Sequence, residues 1–186
     1  MITDPETVLN FWFEGDASAR RKKWFEKNDG FDSACAAFVP ALRAARDGGF
    51  DAWSLQPKSA LALILLLDQL PRNAFRGLAE AFSADPHAQA IARRAIESKH
   101  DLVLTPVERM FVYLPFEHSE MLPDQDQSVR LFETLRGDLG EETIDYARRH
   151  RDVIREFGRF PHRNATLGRV NTPEEVNYLA RPGAGF

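Results

Sequence analysis

Two stretches of the chain combine arginine, asparagine and proline in a pattern that could hold an anion. They are LPRNAFRG, residues 70–77, and RFPHRNATLGR, residues 159–169. In each, an apolar helical run meets a proline and is followed by Arg-Asn, a glycine and a further arginine. Arginine grips carboxylates and phosphates through paired N–H donors. Arg72, Asn73, Arg76, Arg159, His162, Arg163, Asn164 and Arg169 are therefore candidate anion-binding residues. A helix stop used twice explains proline and asparagine equally well, because Asn tolerates the left-handed backbone of helix ends and Arg can bond the orphan carbonyls there. That account leaves most of the arginines in need of a partner, and Glu117 and Glu120 are the expected ones.

Acid–base chemistry is the second possibility. In YLPFEHSEMLPDQDQ, residues 113–127, Pro115 is expected to end or kink a helix, so that Glu117, His118, Ser119 and Glu120 crowd its end. A carboxylate beside an imidazole orients the ring and raises its basicity, which makes Glu117 or Glu120 with His118 a candidate acid–base pair. The competing reading is a surface turn with an exposed histidine. The spacing is not His-Glu-x-x-His, and no metal site or cofactor is expected. His150 falls inside the apolar stripe Ala147, Ile154, Phe157 of residues 141–157. It reads either as a core histidine bonded to a carbonyl or carboxylate, or as a pocket imidazole with a tuned pKa.

These residues need helices to carry them. Thr105-Pro-Val-Glu108 and Thr172-Pro-Glu-Glu175 are capping boxes with proline at the first helical position. Thr3-Asp-Pro-Glu6 and Asp85-Pro86 look like variants of the same start. No run of alternating β-branched residues intervenes, so the chain is all-α. Helices are expected over 5–13, 19–26, 31–46 with Pro40 bending or splitting it, 57–69, 86–98, 106–114, 124–135, 141–157 and 173–179, with a short turn over 51–55. The 57–69 segment is apolar on nearly all sides and should form the centre of the core. Short loops imply that neighbours in sequence pack as antiparallel pairs in a single domain, 1–186. The acidic block over 117–145 and the basic block over 146–169 most simply pair with each other as an internal seam.

Composition excludes several classes. With 44% hydrophobic and 28% charged residues the chain is neither disordered nor collagen-like. A net charge of −4 offers no general attraction to nucleic acid or anionic membrane. The one cysteine, Cys35, sits among alanines and reads as a small core residue. The longest apolar run, residues 60–67, is far short of the roughly 20 residues that span a bilayer. A soluble, cytoplasmic protein is expected.

The runs LLDQLPRNAFRG, FSADPHAQAIA, FVYLPFEHSE and RHRDVIREFGRFPHRNATLGRVNTPEE, with the N-terminal FWF and WFEKNDGFD, resemble an uncharacterised bacterial protein family. The likeness covers nearly the whole chain and departs at Asn171, where the family pattern more often has Ser. It implies helix pairs stacked in a tetratricopeptide-like right-handed α-α superhelix and implies no activity. The family's signature falls on Asp68, Gln69, Arg72, Asn73, Arg76, Glu117, His118, Glu120, His150, Arg159, His162, Arg163, Asn164 and Arg169. Two functions follow as expectations. One is a module binding a peptide or protein partner in a concave groove, and the other is a site for a small anionic metabolite, enzymatic or not, built from arginine, histidine and glutamate.

Overall fold

Both Thr-Pro-x-Glu sequences start helices in the computed structural model, which describes residues 4–185. Thr105 Oγ1 accepts from the Glu108 N–H at 3.3 Å while Glu108 Oε2 accepts from the Thr105 N–H at 3.0 Å. At Thr172 the matching distances are 3.2 and 2.7 Å. Asp4 caps the first helix by accepting from the Thr7 N–H at 2.8 Å, while Thr3 of the expected start lies outside the described residues. Thr105→Ala removes one reciprocal cap and is expected to cost about 1 kcal/mol. A lower urea midpoint with an unchanged slope would show this.

The chain is all-helical, with no strand among the described residues. Its α-helices are α1 (Pro5–Phe13), α2 (Asp29–Ala36), α3 (Val39–Arg46), α4 (Pro57–Ile64), α5 (Leu70–Ala74), α6 (Asp85–Glu97), α7 (Pro106–Glu117), α8 (Leu122–Glu133), α9 (Arg136–Leu139), α10 (Glu141–Phe157) and α11 (Pro173–Leu179). Pro40 splits the expected 31–46 helix into α2 and α3. Segment α4 is as central as its composition implies: Leu61–Leu67 and Leu70 are inaccessible to solvent. α4 packs on α1, α6 and α7, and α8 packs on both α7 and α10. Trp12, Phe111, Tyr113, Phe116 and Phe132 fill the space between them. Cys35 is a core residue with no exposed surface, and burial pushes its thiol up to about 12.

Three expectations need correcting. Pro71 does not stop the buried helix. Between α4 and α5 the chain widens into a π-turn, Leu65–Gln69, in which the Leu70 N–H bonds to the Leu65 carbonyl five residues back. Proline lacks an N–H and clashes with the carbonyl four residues before it, and one wider turn accommodates both defects without ending the helix. Pro115, expected to end or kink its helix, lies inside α7, which runs past the expected end at 114 to Glu117. The basic 19–26 segment forms only a short 3₁₀ turn, Lys22–Trp24. On a helix Arg20 and Lys23, three residues apart, would be like-charged neighbours. Instead the segment straps onto the end of α1, where Arg21 and Lys23 pair with Glu14 and Trp24 Nε1 donates to the Trp12 carbonyl at 3.1 Å. No helix of the described residues is long and apolar enough to cross a membrane.

Candidate functional site

The π-turn matters because of what it carries. Asp68 and Gln69 are buried in the middle of the most apolar segment of the chain. A buried carboxylate persists only with partners. Asp68 Oδ1 lies 2.7 Å from His118 Nδ1 and 3.1 Å from Arg72 Nη1, while Asp68 Oδ2 accepts from Gln69 Nε2 at 2.6 Å. Burial pushes this carboxyl up, but Arg72 and His118 outweigh it and hold Asp68 below the usual carboxylate range. Arg72 also reaches back to the Asp68 carbonyl at 2.6 Å, and Asn73 Nδ2 to the Gln69 carbonyl at 3.1 Å. Arg72 and Asn73 thus bond backbone carbonyls at this corner, although the helix continues through it.

Asp85 binds the two corners together. It is the first residue of α6 and was expected to cap that helix, yet the cap position is Ala84 with no side-chain bond. The Asp85 carboxylate faces inward and accepts from Arg72 Nη1 and Nη2, both at 2.9 Å. Arg163 Nη1 approaches the same group at 3.4 Å. Both guanidiniums stack on Phe82, at 5.6 and 4.6 Å from the ring centre. Burial first, and then the charge of Arg72, bring Arg163 down to about 10, still fully cationic at neutral pH.

Arg72, Asn73, Arg76, Glu117, His118, His150, His162 and Arg163 all line one cavity of about 720 Å³. The strap closes another side of it with Arg20, Arg21, Lys22, Trp24 and Phe25, and Arg20 Nη1 crosses to Thr143 Oγ1 on α10 at 3.0 Å. The remaining four sequence candidates do other work. Arg169 makes a two-pronged bond to Glu120 at 2.7 and 2.9 Å, and Glu120 also accepts from the Phe160 N–H. Arg159 grips Glu175 at 2.6 and 2.7 Å, and Asn164 Nδ2 bonds to Glu175 and Asn171. These four clamp the loop after α10 to the starts of α8 and α11.

The expected partners of the arginines are therefore half right. Glu120 takes Arg169, but among the described residues no arginine forms an ion pair with Glu117. Arg76 instead pairs with Asp32 at 2.8 Å, and Arg72 with Asp68 and Asp85. The seam between the acidic and basic blocks is also partial. Arg148 meets Glu133, Glu141 and Asp145, whereas Arg155 turns to Asp152.

The acid–base groups differ in state. His118 ends α7 and is mostly buried, not exposed on a turn. Burial and Arg72 lower its pKa against the pull of Asp68, so His118 is neutral at pH 7 and Asp68 carries the charge. A carboxylate can only accept, so the His118 proton sits on Nδ1 and the lone pair on Nε2. Glu117 is pushed up to about 8 by burial and then by the Asp68 charge, and is protonated at neutral pH. His150 combines both of its expected readings. It is buried in the stripe, its Nδ1 donates to the Tyr146 carbonyl at 2.9 Å, and the residue lines the cavity. Burial lowers its pKa well below the ordinary value, so its 3.5 Å approach to Glu117 is a contact between neutral groups and not an ion pair. Burial and Arg163 bring His162 down to about 4.

Asp85, Phe82 and the strap were missed as site components. Only the basic cluster RRKK, residues 20–23, could have signalled the last of these.

A helical domain enclosing a cavity of opposed arginines, histidines and a protonated glutamate is thus defined. The chain belongs to the family described as bacterial protein of unknown function (DUF924), whose model matches residues 8–183. It is similar to the solved structure of ATU0120 from Agrobacterium tumefaciens, a protein of unknown function. The two share 40% sequence identity with a TM-score of 0.86, over 95% of this chain and 96% of that one. No curated protein matches the chain.

Proposed function

We propose that the cavity binds a small anionic metabolite, with Arg163 as the anion-binding group of its inner wall and Arg20 at its mouth. The observation that carries this reading is the hydrogen bonding of Arg163. Its charge is balanced, since Asp68 and Asp85 match Arg72 and Arg163, but its donors are not. Arg72 takes both oxygens of Asp85 and Oδ1 of Asp68, leaving Arg163 one hydrogen bond of 3.4 Å and a buried Nε with no partner among the described residues. Arg163 is 6% exposed. A buried guanidinium with most of its donors unused costs stability, and a bound carboxylate or phosphate would supply the acceptors. Arg20 has Thr143 as its hydrogen-bond partner and pairs with no carboxylate among the described residues. A volume of about 720 Å³ is in the range of metabolite and cofactor sites.

The peptide-binding reading and the tetratricopeptide-like superhelix belong together and have less behind them. Their support is the direct packing of α7 on α8 and of α8 on α10. The cavity wall, charged and hydrogen-bonded, suits a small polar ligand better than an extended chain.

The test is thermal unfolding with millimolar succinate, malonate, citrate and inorganic phosphate. A ligand at one hundred times its Kd adds about 2.7 kcal/mol, or about 5–11 °C for a chain of this size. At least one anion is expected to reach that range with wild type and to lose most of the effect with Arg163→Leu. Equal shifts in both proteins, or none in either, would remove the reading.

A further inference from the structure

Resting on the anion-binding reading, we propose that the cavity is a hydrolytic site for a carboxylic ester whose acyl part carries a free carboxylate, with His118 as general base and Glu117 as general acid. One guanidinium with open donors suits the two oxygens of a carboxylate, and Arg163 supplies it. The reacting ester then lies along the wall that carries Glu117 and His118, which occupy consecutive positions at the end of α7.

The nucleophile is water. Among the described residues no serine or cysteine lines the cavity. The Thr143 hydroxyl donates to the Leu139 carbonyl at 3.2 Å and accepts from Arg20. Cys35 is in the core. His118 is arranged as a base. Asp68 fixes its Nδ1 proton at 2.7 Å, and Arg72 and Gln69 fix Asp68 in turn, so Nε2 keeps its lone pair. Glu117 is arranged as an acid. Among the described residues no hydrogen bond holds its carboxyl, and the Nδ1 proton of His150, 3.5 Å away, is committed to Tyr146.

The step balances without a cofactor. His118 Nε2 takes a proton from water as the water oxygen bonds to the acyl carbon. The bond from that carbon to the leaving oxygen then breaks, its electron pair stays on the oxygen, and Glu117 protonates it. Acid and alcohol leave, and transfer of one proton from His118 to Glu117 through solvent restores the site. Asp68 acts through His118 as a positioning residue.

Mono(4-nitrophenyl) succinate and monophenyl succinate test this with the full chain. The first has a leaving group that needs no proton, and the second, with a pKa of about 10, needs one. Wild type is expected to hydrolyse both. His118→Gln should slow both by about 10²–10⁴-fold. Glu117→Gln should slow the phenyl ester by about 10²-fold and leave the nitrophenyl ester within about 3-fold, a split that a merely structural role would not produce. Asp68→Asn should move the pH–rate profile of the nitrophenyl ester as well as its rate. Folding of each variant is checked by its melting transition, with His118→Asn as a second form.

Wild-type turnover no faster than His118→Gln on either ester overturns the proposal, as does an equal loss on both esters in Glu117→Gln. Succinate stabilisation measured in parallel separates the two readings. Stabilisation without turnover removes the hydrolytic site and leaves anion binding, and absence of both removes both.

Discussion

Asp85→Ala is expected to unfold about 6–20 °C below wild type. One carboxylate holds Arg72 through two bonds of 2.9 Å and is the hydrogen-bond partner of Arg163. Breaking a buried pair by removing one partner costs about 3–5 kcal/mol, because the charge left behind stays out of water. For a chain of this size each kcal/mol moves the midpoint by about 2–4 °C. The loss should be larger than for Arg76→Ala, whose partner Asp32 is separate and whose guanidinium is more exposed. Asp85→Asn keeps an acceptor oxygen without the charge and is expected to fall between. Added acetate should recover part of the Asp85→Ala loss, since the vacated space lies between two guanidiniums. A melting point within about 2 °C of wild type would mean that both arginines reach solvent. The inner wall of the cavity would then be open to water.

Asp85 also shows what was legible in the sequence and what was not. The all-α class, both capping boxes and the bounds of α10 and α11 follow from local chemistry, and local chemistry is on display in a sequence. An aspartate ahead of a proline looks the same whether it caps its own helix or reaches back to an arginine thirteen residues earlier. Only the packing of α6 against α4 and the π-turn decides between the two. The arginine corners raised the right question, but its answer divided them. Arg163 joins Arg72 at the cavity, while Arg159 and Arg169 clamp a loop. That division depends on which carboxylates the fold brings within reach over distances of 16 to 78 residues. Proline misled in a regular way. Pro71 looked like a stop and Pro115 like a stop or a kink, yet the first is absorbed by a wider turn and the second falls two residues before the helix end. The π-turn created by the first is what gives Asp68 its place beside His118.

Glu117→Gln is expected to be more stable than wild type at neutral and alkaline pH, and equal to it in acid. The Glu117 carboxyl has a folded pKa of about 8 against an ordinary value of 4.5. Between those values the native state keeps a proton that the unfolded chain has lost, so this group makes stability fall as pH rises. The fall approaches 1.4 kcal/mol per pH unit and levels off above the folded pKa, reaching about 5 kcal/mol in all. Below pH 4 the carboxyl is neutral in both states and contributes no slope. Glutamine is neutral throughout and nearly the same shape. Subtracting the two stability curves cancels every other titrating group and leaves Glu117 alone. Urea unfolding at half-unit steps from pH 4 to 9 measures that difference. Parallel curves would mean that Glu117 ionises normally and would deprive the cavity of its proton donor. A difference that opens with pH would show that the chain gives up stability at neutral pH to keep a carboxylic acid beside an imidazole. Such a sacrifice is intelligible for a site that moves protons and has no purpose in a helix end that only has to pack.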